Sequence, residues 1–412
     1  MIQEPPTLNI IIVGYVFGFP NGHGASARIS QYARGLTAHG CRVKIICLKP
    51  TEPPGAKVLN HETKGEYHGA SFEYTSGTST FSNIRILRYL QNIKGIIGAF
   101  RSLHRFSKDS PIHAVLYYGT DSPFYTIVLW LMAKMNGACF IGENTEAPFV
   151  YSKISLSTHF KKWLVSRFTH KLFDGFVVIS TFLEKTFRLS LKQNTPILRL
   201  PVLVDTAVFA SRVHNSPSSS RYLIYCGNLR HGGEVGAVLN AWAKIKTEFS
   251  AWKVRIIGDN SSNALSDPLM QRIMELGVDK SVEFTGLVPR ECMPEMLLSG
   301  DVMLLPRAEG LFSQAGLPNK LGEYLATGKP VVVTKNGDIG MYLRDRIHAF
   351  LVQPNDLQAF ADTLRYVLNN PDEAAEVGLN GQKVAKEFFE NEKNCRRLID
   401  FVKEIRGHRS EA

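Results

Sequence analysis

The sequence predicts an α/β protein made of two Rossmann-like, doubly wound domains. Three observations predict it. Short β-branched apolar runs alternate with helical stretches, the first run opens into a glycine-rich loop, and the alternation halts at a polar segment and restarts.

The first run is Asn9–Gly14 (NIIIVG), continuously apolar as a strand buried on both faces should be. The loop FGFPNGHGASA follows at 17–27, and a helical stretch Arg28–His39 stops at Gly40, a residue suited to end a helix. Arg42–Leu48 reads as the next strand. Ala114–Tyr118 and Cys139–Gly142 read as strands flanking a helix over Pro123–Met135, and Phe176–Ile179 is a further strand. Ser211–Ser220 (SRVHNSPSSS) is the best linker in the chain. After it come strands at Arg221–Cys226, Lys253–Gly258, Val282–Thr285, Asp301–Leu305 and Pro330–Thr334, mostly separated by helices. From Pro371 to Arg409 the pattern is helical throughout. The boundaries predicted are 1–205 for the first domain, 206–385 for the second, and 386–412 for a C-terminal helix returning to the first.

Length and composition agree. The chain has 412 residues, 44% of them apolar and 21% charged, ordinary values that exclude a disordered, collagen-like or disulfide-scaffold chain. The six cysteines form no CxxC pair and no zinc-ligand spacing with histidine, so no metal site is expected. Residues 1–9 carry no basic residue and no apolar core of a signal peptide, and no apolar run reaches about 18 residues. The expectation is a cytoplasmic protein without a transmembrane helix. The net charge of +11 is one-sided: residues 1–205 hold 23 Lys and Arg against 12 Asp and Glu, and the rest hold 25 against 25. An acidic partner is expected on the first domain. No zinc-finger, RNA-recognition or helix-turn-helix signature accompanies the charge, so nucleic acid is not expected.

The segment with most chemistry is Gly316–Thr334, GLPNKLGEYLATGKPVVVT. Gly316, Leu317 and Pro318 lead into a helix from Asn319. A helix N-terminus offers free N–H groups and a positive dipole end, which suits phosphate. Lys320 in the first turn is unfavourable with that dipole unless an anion sits alongside. Glu323, one turn on, could accept hydrogen bonds from a ribose diol.

These residues resemble glycosyltransferase family 4, the "glycosyl transferases group 1" type, whose members have the GT-B fold of two Rossmann-like domains facing a cleft. Within the family the chain resembles the subset with PNKLxEYLAxGKPVV in place of the full E-x7-E motif. Glu323 matches the second glutamate, which the resemblance implies holds the ribose. The first glutamate falls at Ala315, and Glu309, Ser313 and Gln314 are the candidates to replace it. Similar matches occur in order along the chain. Pro20–Arg28 resembles the N-terminal glycine loop, placing Gly22 and Gly24 near donor phosphate. Leu200–Phe209 resembles the segment closing the first domain. Tyr225–Arg230 resembles the turn after the first strand of the second domain, with Gly227. Val282–Leu305 resembles the family's next conserved block, bringing in Val288. The family's usual diphosphate cations are replaced by Asn228 and Gly233, so Arg230 and Lys320 are the expected phosphate-facing pair. Glu143 and Glu146, in FIGENTEAPF at a strand's carboxyl end, are the candidate catalytic-region residues, with Glu146 preferred for contact with acceptor or donor sugar. No nucleophile is assigned.

The resemblance implies a retaining transferase moving a sugar from a UDP- or GDP-sugar to a saccharide acceptor in bacterial surface polysaccharide biosynthesis, lipopolysaccharide or capsule, with no cofactor required. Two other readings stay open: a nucleotide-sugar epimerase-like GT-B enzyme, and a decayed, nucleotide-binding regulatory protein. Two basic stretches, 82–108 and 159–171, suit peripheral contact with an anionic membrane, the inner face of the plasma membrane, and hence a lipid-linked acceptor. In the first, Ile86, Leu90, Ile93, Ile97 and Phe100 step by four and three and read as the helix's core face.

Overall fold

The computed structural model describes residues 8–410 apart from 23, 56–57, 148–155, 212–220, 228, 230–232 and 259–266. The chain divides into two compact units: Met1–Leu203 with Asn391–Ala412, and Val204–Glu390.

The first unit is built on β1 (Asn9–Gly14), β2 (Arg42–Cys47), β3 (Lys64–Tyr67), β4 (Ala70–Tyr74), β5 (Ala114–Tyr118), β6 (Cys139–Asn144), β7 (Gly175–Val178) and β8 (Ile197–Arg199). The sheet order is β3-β4-β2-β1-β5-β6-β7-β8. All neighbours are parallel except β3 and β4, which form a hairpin. The hairpin turns on His68 and Gly69, both at positive φ, as a two-residue turn matched to strand twist requires. Its strands KGEY and ASFEY alternate polar and apolar residues and show no buried-strand run, so the sequence reading does not find them.

Helices α1 (Gly24–Ala38), α2 (Arg85–Ser107), α3 (Pro123–Met135), α4 (Leu156–Arg167) and α5 (Thr181–Arg188) connect these strands. The second unit contains α6 (Ala207–Ala210), β9 (Arg221–Cys226), α7 (Gly233–Ile245), β10 (Trp252–Ile257), α8 (Asp267–Glu275), β11 (Val282–Gly286), α9 (Met293–Leu298), β12 (Val302–Leu305) and α10 (Leu311–Ala315). It continues with α11 (Asn319–Ala326), β13 (Val331–Thr334), α12 (Ile339–Tyr342), β14 (Phe350–Val352), α13 (Leu357–Asn369) and α14 (Pro371–Val384). The last helix, α15 (Asn391–Ser410), belongs to the first unit. There Cys395, Leu398, Ile399, Phe401, Val402 and Ile405 join the core between α1 and the sheet. Gly35 of α1 makes the approach close: a Cβ there would lie 2.6 Å from Cys395 Sγ.

The second sheet is fully parallel, in the order β11-β10-β9-β12-β13-β14. Its core is centred on Trp242, whose indole N–H donates to Ser281 Oγ at 2.9 Å. Two parallel-sheet Rossmann-like units are the domain content of the GT-B class.

One expectation is overturned. The stripe Ile86, Leu90, Ile93, Ile97 and Phe100 is not the core face of α2; these side chains are exposed. The buried face is Gly95, Ala99, Ser102, Leu103 and Phe106. The reason is steric. A Cβ at Gly95 would collide with the Leu48 carbonyl oxygen, and one at Gly98 with that of Thr75. The small residues let the helix backbone sit directly on the strand ends, so periodicity alone selects the wrong face.

Candidate functional site

In the second sheet the chain passes from β9 outward to β10 and β11, then returns to place β12 on the other side of β9. The carboxyl ends of β9 and β12 therefore bound a topological switch point, where open α/β sheets bind ligands. Four pieces meet there: the turn at Gly227, the segment after β12, and the starts of α7 and α11.

Tyr324 ties α11 to β9. Its hydroxyl accepts the Cys226 N–H at 2.7 Å, in the core. That bond orients α11 so that Lys320 and Glu323 lie along one edge, with Lys320 Nζ donating to Glu323 Oε2 at 2.8 Å. Their side chains are 29% and 16% exposed, so the pair is reachable but largely desolvated. Burial pushes Glu323 up, yet the Lys320 ammonium and the Arg290 guanidinium outweigh it and hold the carboxyl below its ordinary value. Burial likewise works against the Lys320 charge, and Cys226 and Glu323 reverse the shift, so its pKa rises. The anion that a cation in this first turn demands is thus Glu323.

Arg307, just past β12, is the residue the sequence reading missed. It is 5% exposed. Its Nε lies 3.6 Å from Glu234 Oε1 at the start of α7, and Tyr225 donates to the same carboxylate at 3.3 Å. Its backbone is pinned by Thr334 and Asn336: its N–H donates to Thr334 Oγ1 at 2.8 Å, and its carbonyl accepts from Asn336 Nδ2 at 2.8 Å. A lone arginine after a strand has no spacing to announce it.

The other expected residues are placed as follows. Gly227 sits at the end of β9, and Gly258 approaches it so closely that a Cβ at 258 would strike the Gly227 carbonyl oxygen. Asn319 begins α11 and Gly316 closes α10, with Leu317 buried between them. Ala315 is fully buried and Ser313 nearly so, whereas Gln314 and Glu309 are exposed. Val288 follows β11, two strands from β9. Arg230 and Asn228 lie outside the described residues.

In the first unit the glycine loop follows β1. Asn60 brackets Asn21: its Oδ1 accepts the Asn21 N–H at 2.8 Å, and its Nδ2 donates to the Asn21 carbonyl at 2.9 Å. Asn60 is itself held by buried Glu52. Ser26 Oγ donates to the Gly18 carbonyl at 2.6 Å, which turns the loop into α1. Gly22 lies on this loop and Gly24 begins α1, both exposed, and a Cβ at Gly22 would collide with Ser26 Oγ. Glu143 and Glu146 differ sharply. Glu146 is exposed in the bend after β6. Glu143 is wholly buried, accepting from Arg28 Nε at 2.5 Å and from the Tyr32 hydroxyl at 2.7 Å. Arg28 also donates to the Pro201 and Leu200 carbonyls, the segment by which the chain leaves the unit.

Residues 220–370 match the glycosyl transferases group 1 family. That span contains the switch point, Lys320, Glu323 and Arg307. The chain is similar to the D-inositol 3-phosphate glycosyltransferase of Corynebacterium urealyticum, 26% identical over 201 residues, or 48% of this chain and 46% of that protein. It is similar to WcaL of Escherichia coli, named as a glycosyltransferase of colanic acid biosynthesis, 25% identical over 49% of this chain and 50% of that one. The chain spans about half the length of these curated relatives. In fold it resembles HepE of Anabaena, solved in complex with UDP and glucose, with a TM-score of 0.70 and 14% identity over 96% of this chain and 99% of that one.

Proposed function

We propose that the chain is a nucleotide-sugar-dependent glycosyltransferase, retaining in stereochemistry, that transfers a sugar to a lipid-linked saccharide acceptor in surface polysaccharide assembly. The observation that carries it is the Lys320–Glu323 pair at the N-terminus of α11, beside the β9–β12 switch point and inside the family-matched span. An entering diphosphate competes with Glu323 for Lys320 and adds the free N–H groups of the helix start. Glu323, released, accepts from the ribose diol. Arg230 supplies a second cation on the negative charge that builds as the glycosidic bond breaks. Gly22 and Gly24, both exposed where the first loop meets α1, leave the backbone there open to an anionic ligand. Glu146 is the residue in contact with acceptor or donor sugar, while Glu143 acts at one remove, holding Arg28. WcaL's name and HepE's ligands support the polysaccharide setting and a UDP-sugar; a GDP-sugar is the other donor class.

The test is thermal unfolding with UDP, GDP, ADP and dTDP, repeated for Glu323→Ala. A nucleotide at about 100 times its dissociation constant adds roughly 2.7 kcal/mol of stability. Stabilisation by one nucleotide, lost in the variant, is the expected result. Folded protein indifferent to all four at millimolar concentration sinks the reading.

A further inference from the structure

The starts of α7 and α11 both face the β9–β12 switch point, and one buried side chain reaches toward each of them. Arg307 leaves β12 with its backbone held on both sides: its N–H donates to Thr334 Oγ1 at 2.8 Å, and its carbonyl accepts from Asn336 Nδ2 at 2.8 Å. Its side chain is 4% exposed. The guanidinium Nε lies 3.6 Å from Glu234 Oε1 in the first turn of α7. Its Cζ lies 4.9 Å from the centre of the Phe312 ring on α10, and its Nη1 reaches the Gly316 carbonyl at 3.5 Å, three residues before α11. The phosphate cations expected from the sequence, Arg230 and Lys320, do not include it.

A buried guanidinium is costly unless an anion stays with it. Glu234 supplies that anion, and supplies it loosely. At 3.6 Å the contact is an ion pair outside hydrogen-bond range, and Tyr225 holds the same carboxylate by a long 3.3 Å bond. Glu234 is also the solvent side of the pair, its side chain 36% exposed against 4%. The carboxylate can therefore turn out into water while the pinned arginine stays. What it uncovers is a cation between two helix N-termini, each with free N–H groups and a positive dipole end. The first turn of α7 brings no cation of its own, and a Cβ at Gly233 or Gly236 would meet nothing within 4 Å, so the backbone there is open. Lys320 rests on Glu323 in the same way at the start of α11.

We propose that Arg307 binds the diphosphate of the donor nucleotide and that Glu234 is the counter-ion this diphosphate displaces. That role rests on the transferase reading and deepens it: a nucleoside diphosphate, rather than a monophosphate, is what the site selects. An arginine fork takes two phosphate oxygens at once, where an ammonium acts as a point charge. Lys320 meets the anion from α11, and Arg307 meets it from the end of β12. Held by Thr334 and Asn336, Arg307 is already in place when negative charge builds on the leaving diphosphate, as electrostatic stabilisation of a transition state requires. An arginine that only tied α7 to α10 would, when removed, weaken mono- and diphosphate alike.

The experiment is calorimetric titration of the full chain with the mono- and diphosphates of uridine, guanosine, adenosine and thymidine. The unaltered chain is expected to prefer one diphosphate to its monophosphate by at least about tenfold, and Arg307→Gln to cut that preference by about tenfold, the worth of a charged hydrogen bond. Arg307→Lys should restore part of it. Glu234→Gln removes the competing carboxylate and should tighten the diphosphate by about threefold, with the monophosphate changed less. A diphosphate preference that Arg307→Gln leaves intact overturns the proposal while the transferase reading stands. So does equal affinity of the unaltered chain for mono- and diphosphate, or a diphosphate affinity that Glu234→Gln leaves unchanged or weakens. The Glu234 variant decides alone where Arg307→Gln does not fold. No binding of any of these nucleotides to the folded, unaltered chain overturns the transferase reading, and the role of Arg307 with it.

Discussion

Arg28 and Glu143 are both charged and both closed off from solvent, their side chains 1% and 0% exposed. Removing one partner of such a pair strands the other as an uncompensated buried charge, which costs about 3–5 kcal/mol. Arg28→Met should therefore destabilise the first unit by that amount in urea unfolding. Arg28→Met with Glu143→Gln should cost less than the single change, because the stranded charge is gone. The Lys320–Glu323 pair is different in degree: its side chains are 29% and 16% exposed, so solvent offsets part of the charge left behind when one partner is removed. Lys320→Gln should therefore destabilise by less than Arg28→Met. Its effect should fall on transfer, about 10²-fold in kcat/KM if the ammonium faces the leaving diphosphate. A variant with ordinary kcat/KM would place the phosphate elsewhere.

α2 shows what an element adds to its residues. Alanine at an exposed helix glycine gains about 1 kcal/mol of propensity. At Gly95 the new Cβ would meet the Leu48 carbonyl, a backbone atom that cannot step aside. Overpacking of this sort costs about 1–3 kcal/mol, so Gly95→Ala should destabilise despite the better propensity, and urea unfolding of the first unit would read the sign. The turn after α4 carries a second prediction. His170 is packed against Phe173, Phe176 and Phe187, and burial pushes it down to about 4 from the usual 6.5. His170 Nδ1 shares a 2.8 Å hydrogen bond with Ser190 Oγ, and its Nε2 is buried with no hydrogen-bond partner among the described residues, so nothing in this apolar pocket compensates a second ring proton. The unfolded chain binds that proton first as pH falls. Stability is present above about pH 6.5 and is lost toward pH 4, by about 3 kcal/mol for this shift. His170→Asn should flatten that slope in urea titrations at pH 7 and 4.5. Legibility divides along the same line. Strands buried on both faces, such as NIIIVG and PVVVT, announce themselves by composition, and the Gly316–Thr334 block by its cap, helix and strand in order. The polar hairpin Lys64–Tyr74 does not. Nor does the seat of α2, where contact is made by glycine backbone and the large side chains face out. Arg307 and Tyr324 are legible only once three-dimensional proximity has been established.

Across the whole molecule the two units differ in continuity. Val204–Glu390 is one unbroken stretch, whereas the first unit is closed by both ends of the chain. Its excess positive charge lies in residues 1–205, on the unit that carries the exposed apolar stripe of α2. The last helix, α15, carries six of its core side chains, from Cys395 to Ile405. Each is worth about 1.5–3 kcal/mol of burial, so together they rival the 5–15 kcal/mol by which a domain is stable. A chain ending after Glu390 should thus lose the first unit's cooperative transition while keeping the second sheet, its Trp242 core and its switch point. Two thermal transitions in the full chain, only one of them shifted by nucleotide, should reduce to the nucleotide-shifted one in the truncated chain. Retention of both would mean that α15 contributes little to closing the first unit. Loss of both would mean that the second unit depends on the first for its own stability, despite its separate sheet and core.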